Sequence, residues 1–76
     1  MEEFLRYVIG NLIENPDEMV LTQAQAPRRV TFRLKLRKND IGRVIGKQGR
    51  TIAAVRNLLS AGAARHGQKA VLQIDE

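Results

Sequence analysis

A short run of residues at 44–52, VIGKQGRTI, carries the strongest candidate chemistry in this chain. It sets Gly46 and Gly49 around Lys47 and Gln48, with apolar residues on both sides. Glycine has no Cβ, so the chain can turn with positive φ and an anion can approach the main chain closely. A helix beginning near Gly49 or Arg50 would point its free N–H groups and positive dipole end at the same place. The run therefore predicts a phosphate-binding loop, whose ligand is a nucleotide, a phosphorylated protein or a nucleic acid.

Two observations narrow the choice of ligand. A nucleotide-binding P-loop does not fit, because three residues rather than four separate Gly42 from Gly46, and Gln48 stands where the Mg²⁺-binding Ser or Thr belongs. The net charge of +5 is unevenly distributed: ten of the 13 basic residues lie between Arg28 and Arg56, with Asp40 as the only acid among them. Such an uneven distribution predicts one face built for an extended polyanion.

Catalysis, metals and cofactors find little support in the composition. The chain has no Cys, and its single histidine, His66, lies near a helix end where a surface cation is the simpler interpretation. Ser60 has no recognisable base nearby in sequence. We therefore predict no enzyme activity, no metal site, no cofactor and no small-molecule substrate. An acidic N-terminus and the lack of a long apolar run predict a cytoplasmic protein without a membrane partner.

Hydrophobic periodicity predicts the order α-β-β-α-loop-α-β. Apolar residues at helical spacing indicate a first helix from about Glu2 to Glu14, and a strand is predicted from Met19 to Ala26. A second strand is clearer, because Val30, Phe32, Leu34 and Leu36 alternate with Thr31, Arg33, Lys35 and Arg37, as expected for one buried face and one cationic face. Asn39 and Asp40 are expected to cap a short helix through Ile41, Val44 and Ile45, and a last strand carries Ala70, Leu72 and Ile74.

The helix predicted from Arg50 to about His66 is apolar around much of its circumference. Ile52, Val55 and Leu59 form one stripe, and alanines fill much of the rest. Such a helix is either rich in alanine because alanine favours helices, or it forms half of an interface. Both interpretations stay open, and the residues that would form the interface are Ala54, Leu58 and Ala61.

The segment IGRVIGKQGRTI at 41–52 resembles the signature of KH domains, whose Gly-x-x-Gly loop clamps four backbone nucleotides. The order of elements resembles the type II arrangement, an α+β fold in which three helices pack on one face of a three-stranded mixed sheet. The resemblance covers essentially the whole chain, and the sequence resembles the small stand-alone bacterial RNA-binding proteins of the KhpA type. It implies that residues 1–76 form a single KH domain.

The resemblance also implies site residues and partners. Gly46, Lys47, Gln48 and Gly49 would contact phosphates, Arg43 and Arg50 would flank them, and Ile41 and Val44 would border the nucleotide groove. The expected partner is single-stranded RNA, with a homodimer or a heterodimer with a Jag-type KH protein. The chain would act as a non-catalytic RNA-binding module, RNA chaperone or post-transcriptional regulator. The alternative is a protein-interaction adaptor whose alanine-rich helix pairs with a larger KH protein, with RNA binding secondary.

Overall fold

The computed structural model describes residues 1–75, and within them the elements follow the predicted order. Short 3₁₀ turns at Pro16–Glu18 and Lys47–Gly49 join the main elements. These main elements are α1 (Glu2–Gly10), β1 (Val20–Ala26), β2 (Arg29–Lys35), α2 (Lys38–Ile45), α3 (Arg50–Ala64) and β3 (Lys69–Asp75).

The sheet has the strand order β1-β2-β3, with β2 in the centre. β1 and β2 form an antiparallel hairpin around Pro27 and Arg28, and Arg28 adopts a φ of 63°, as expected at the third position of a type II turn. β2 and β3 are parallel, which requires a long crossover between them. Helices α2 and α3 form that crossover, and the sheet is therefore mixed, as predicted.

The alternation along β2 decides which side of the sheet is covered. Val30, Phe32 and Leu34 are completely buried, whereas Arg33 and Lys35 are exposed. The buried side chains pack in one cluster with Leu5 and Ile9 of α1, Val44 of α2, and Ile52, Val55 and Leu59 of α3. All three helices thus contribute to the layer on one face, and the opposite face of the sheet carries the cations.

Helix α1 is shorter than the predicted span to Glu14, because it ends at Gly10. The Asn11 side chain donates from Nδ2 to the carbonyl of Tyr7 at 2.6 Å and replaces the next turn of the helix. Ile13 is still buried, so the apolar pattern indicated burial correctly beyond the point where the helix ends. No helix in residues 1–75 has the length and apolar character needed to cross a membrane.

Candidate functional site

The loop between α2 and α3 has a backbone that glycine makes possible at two places. Gly46, which ends α2, has φ 77° and ψ 175°, a region that is essentially open to glycine alone. A Cβ at Gly46 would lie 2.6 Å from Cβ of Thr51, in the first turn of α3. Gly49 is left-handed at φ 72° and ψ 13°, yet has open space where a Cβ would stand. Both the backbone dihedral angles and close packing therefore require a glycine at position 46. At position 49 only the dihedral angles favour glycine.

The middle of the loop is exposed. Gln48 is a non-glycine residue in the left-handed region, with φ 57°, and its Oε1 accepts a hydrogen bond from Nη2 of Arg50 at 3.3 Å. The first hydrogen bond within the loop runs from the N–H of Gly49 to the carbonyl of Gly46, so the N–H groups of Lys47 and Gln48 lack an acceptor in that turn. Together with the start of α3 at Arg50, these groups form a projecting set of donors with positive charge beside them.

A groove of about 750 Å³ lies beside the beginning of α2. Its lining in residues 1–75 combines two lysines, two apolar side chains, a glycine and one carboxylate, and Ile41 is the only predicted site residue among them. The lining residues are Lys35, Leu36, Lys38, Ile41, Gly42 and Asp75. Gly46 follows Ile41 by five positions, so the loop begins about 7 Å beyond Ile41 along the axis of α2.

Two of the predicted site residues point away from this groove. Val44 has no exposed surface and belongs to the core, so it supports α2 from behind. Lys38, Ile41 and Gly42 share one face of α2 by their spacing of three and four, and Arg43 lies on a different face. There Arg43 pairs with the carboxylate of Glu14, which follows α1 in the chain. The role of Arg43 as a flanking contact of the loop stays a prediction, and a ligand would have to compete with Glu14 for this side chain.

Asp40, in the first turn of α2, has a different role from the one predicted from the sequence. The predicted capping role is wrong, because α2 begins at Lys38 with Arg37 at its N-cap and without a side-chain cap. Asp40 is fully buried, and its Oδ1 accepts the N–H of Glu14 at 3.0 Å. Its Oδ2 accepts the N–H of Asn15 at 3.0 Å and the side-chain Nδ2 of Asn15 at 3.1 Å. One carboxylate thus attaches α2 to the segment that follows α1.

The pKa of Asp40 is lowered from its ordinary value by this environment. Burial acts to raise the pKa, but the hydrogen bonds from Glu14 and Asn15, together with the positive charge of Arg43, outweigh it. A signal for this role was present in the sequence, since Asp40 is the only acid in the cationic stretch from Arg28 to Arg56. An acid placed against the local charge trend is expected to have a specific partner.

The cations of the Arg28 to Arg56 stretch divide into two groups in the structure. Three arginines form ion pairs with acids from outside the stretch: Arg33 with Asp75 at 3.5 Å, Arg37 with Glu18 at 3.0 Å, and Arg43 with Glu14. A fourth, Arg56, donates from Nη2 to the carbonyl of Leu72 at 3.2 Å. In residues 1–75 the remaining six have no carboxylate partner: Arg28, Arg29, Lys35, Lys38, Lys47 and Arg50.

The predicted interface residues lie on the solvent side of α3. Ile52, Val55, Leu59 and Ala63 face the core, whereas Ala54, Leu58 and Ala61 are all exposed. Leu58 leaves 60% of its surface open, the largest exposure of any leucine in residues 1–75. A shallow groove of about 320 Å³ beside Leu58 is bordered by Met1 and Phe4 of the N-terminal segment. Phe4 is partly exposed at this patch, although it lies on the apolar stripe of α1.

Comparison with protein families identifies the architecture. Residues 2–74 match the family model described as KhpA/KhpB, KH domain. The chain belongs to this KH-domain family. The observed order of helices and strands is consistent with a KH domain of the type II arrangement.

Individual relatives agree over the whole length. The chain is 43% identical over 76 residues to the RNA-binding protein KhpA of Chlamydia trachomatis, which covers 100% of this chain and 97% of the relative. It is 37% identical to RNA-binding protein KhpA of Listeria monocytogenes, with 100% of both chains covered. The KhpA protein of Bacillus subtilis is 30% identical over 97% of this chain and 91% of the relative. No solved structure matches the chain.

Proposed function

We propose that residues 1–76 act as a single, non-catalytic KH domain that binds single-stranded RNA through the Gly46 to Gly49 loop and the groove beside α2. The observation that carries the proposal is the projecting loop, in which Lys47 and Gln48 are exposed next to backbone N–H groups that lack an acceptor in their own turn. Its full-length relatives are named RNA-binding proteins, which supports RNA as the polyanion.

Single-stranded RNA suits the surface better than a duplex. Lys35 and Lys38 border a groove whose wall includes the apolar side chains of Leu36 and Ile41, and unstacked bases offer apolar faces to such a wall. No aromatic residue lines it, so phosphate contacts are expected to supply most of the affinity. Contact with four phosphates implies a slope of about −3 in a plot of log affinity against log salt, at roughly −0.7 per phosphate.

The test is the double variant Lys47→Asp with Gln48→Asp, measured by fluorescence anisotropy against a labelled single-stranded RNA. We expect affinity to fall at least roughly tenfold, because two donors in the loop become anions facing phosphates. The matched control is Arg6→Asp with Arg65→Asn, which changes the net charge by the same amount at two exposed positions away from the loop, one in α1 and one directly after α3. Unchanged affinity in a folded loop variant, or equal loss in the control, would contradict the proposal.

We further propose that the chain works as a KH dimer, either with itself or with a Jag-type KH protein, through Ala54, Leu58 and Ala61. An exposed leucine flanked by alanines on a helix allows close approach of a second helix. Light scattering on the purified chain measures the homodimer directly, and Leu58→Glu is expected to give the mass of a monomer. A monomeric wild-type chain that also fails to bind a Jag-type protein would exclude this interface.

The adaptor hypothesis, in which this α3 patch is the functional surface and RNA binding is secondary, is favoured only by the exposure of Leu58. Replacing Ala61 with Glu separates the two functions, since Ala61 lies far from the loop along α3. The adaptor hypothesis requires function in cells to disappear with the loss of the partner even when the monomer binds RNA normally. The RNA-binding hypothesis requires function to follow the loop variant.

A further inference from the structure

The face of the sheet that no helix covers carries a row of cations. Side chains alternate along a strand, so Arg29, Arg33 and Lys35 of β2 all point to the face opposite the core. Lys69 of β3 joins them, because it is the register partner of Arg29. We call these four residues, Arg29, Arg33, Lys35 and Lys69, the outer cationic row.

The outer cationic row starts at the groove. Lys35 lines the groove beside α2 and also belongs to the uncovered face, so it stands where the two surfaces meet. Arg29 lies six residues before Lys35 on the same strand, at a distance of about 20 Å for a strand that rises roughly 3.3 Å per residue. The row therefore extends away from the groove for the length of several nucleotides.

Positive charges lie close together at that end of the row which is farthest from the groove. Arg29 and Lys69 are adjacent across the parallel pair, and the N–H of Lys69 donates to the carbonyl of Arg28 at 2.7 Å, which brings a third cation to the same corner. Like charges on neighbouring strands repel. In residues 1–75 none of these three cations has a carboxylate partner, whereas Arg33 in the middle of the row pairs with Asp75. A polyanion would relieve the repulsion at this corner.

The neighbouring side chains favour a nucleic-acid backbone over a protein. On the same face β1 contributes Val20, Thr22, Ala24 and Ala26, β3 contributes Val71, and no aromatic residue from β1, β2 or β3 points this way. Protein interfaces depend on aromatic and large apolar anchors, and the two valines are the largest apolar side chains that the strands place on this face. Phosphate binding needs only exposed cations with free access.

We propose that the outer cationic row is a second phosphate track, along which an RNA strand continues after it leaves the groove. The inference rests on the proposed function, because it extends the path of the same ligand. The track would hold the sugar-phosphate backbone without reading bases, since it consists of point charges and guanidinium groups on a flat sheet. It would lengthen the bound segment beyond the four nucleotides that a Gly-x-x-Gly loop clamps.

The experiment compares the double variant Arg29→Gln with Lys69→Gln against the wild type on two single-stranded RNAs, one of about four nucleotides and one of about twelve. We expect the short RNA to bind both proteins equally, because it occupies only the loop and groove. The long RNA is expected to bind the variant on the order of fivefold more weakly, with a salt slope shallower by about 1.4, from two lost contacts at roughly 0.7 each.

The matched control is Arg6→Gln with Arg65→Gln, which removes the same charge from two exposed positions, one in α1 and one directly after α3. Long-RNA affinity that is unchanged in the row variant, or lowered equally in the control, would overturn the inference. Unchanged RNA binding combined with loss of an acidic protein partner would overturn it too and would assign the face to that protein. If the wild type binds neither RNA, the proposed function fails; if both RNAs bind but respond equally to the row variant, only the second track fails.

Discussion

Both ends of α2 lie beside backbone N–H groups that can bind an anion, and the two ends differ in where that anion comes from. At its beginning, the carboxylate of Asp40 accepts backbone N–H groups from Glu14 and Asn15 and is fully buried. At its end, the loop presents the N–H groups of Lys47 and Gln48 to solvent beside positive charge. The first end supplies its own anion, and the second end is open to an anion from outside.

This difference shows how a 76-residue chain holds a binding loop steady. A loop with positive φ at three of its four positions, Gly46, Gln48 and Gly49, has little local stability of its own. The rigid end of α2 compensates, because Asp40 joins the helix to the segment after α1 while Val44 anchors it in the core. Disturbing the closed end should therefore affect stability most, and disturbing the open end should affect binding most.

The largest expected effect on stability comes from Asp40→Asn. The asparagine amide keeps one acceptor oxygen, but its NH₂ group replaces the other. This NH₂ group then faces either the N–H of Glu14 or the donors of Asn15, so donors are left buried without an acceptor. Urea unfolding at neutral pH should show the largest fall in midpoint of any single variant discussed here. The control is Asp17→Asn, an exposed position on the turn Pro16–Glu18, and an equal fall in both variants would contradict the role of Asp40.

A low pH should reduce the stability of the wild-type protein through protonation of Asp40. The pKa of Asp40 is lowered in the folded state, so its stabilising charge is present above the unfolded pKa of about 3.9 and is lost as the pH falls through the folded value. Unfolding midpoints measured from pH 7 downward should decline below about pH 4 more steeply in the wild type than in Asp40→Asn. Parallel curves for the two proteins would show that Asp40 does not contribute to this dependence.

Replacing each of the two loop glycines with alanine should lower the free energy of unfolding by different amounts. Gly46→Ala places a methyl group against Thr51 in a backbone region closed to alanine, for which we expect a loss of about 3 kcal/mol in unfolding free energy. Gly49→Ala meets open space and pays only for its left-handed backbone, about 1 kcal/mol. Chemical denaturation of both variants measures the difference, and equal losses would mean that Gly46 does not pack against Thr51 as described.

Lys38 lies on the face of α2 that borders the groove and Arg43 lies on another face, so variants of the two residues compare how much each face contributes to RNA binding. Lys38→Ala should weaken RNA binding roughly fivefold, equivalent to about 1 kcal/mol, because a cation at the groove is lost. Arg43→Ala removes the same charge from the side that pairs with Glu14 and should leave affinity nearly unchanged. Anisotropy titrations of the two variants make the comparison, and a larger loss in Arg43→Ala would support Arg43 as the stronger ligand contact.

The smallest expected effect is that of Glu14→Gln. The change removes an exposed ion pair with Arg43 but keeps the backbone N–H of Glu14 that Asp40 accepts, so the loss should be about 0.5 kcal/mol and should shrink in high salt. Unfolding curves at low and high salt test this. A loss as large as that of Asp40→Asn would mean that the exposed pair, rather than the buried carboxylate, holds α2 in place.

The elements of the fold and the position of the loop were predictable because they depend on local pattern. Period-two alternation indicated β2 and its two faces, and the glycine spacing indicated the break between α2 and α3. The end of α1 was predicted too late, since the apolar stripe continues to Ile13 while the side chain of Asn11 terminates the helix. Periodicity reports which residues are buried and does not report where backbone hydrogen bonding stops.

The sequence by itself determined the order of helices and strands, the Gly46 to Gly49 loop and the concentration of cations around it, because each depends on residues near one another in the chain. The tertiary structure alone decided which cations are free. Glu14, Glu18 and Asp75 reach three arginines from distant positions and leave the lysines of the groove unpaired. It also turned Asp40 from an apparent helix cap into a buried link. Such pairings depend on how separate elements pack, since charge acts through distance in space and not through distance in sequence.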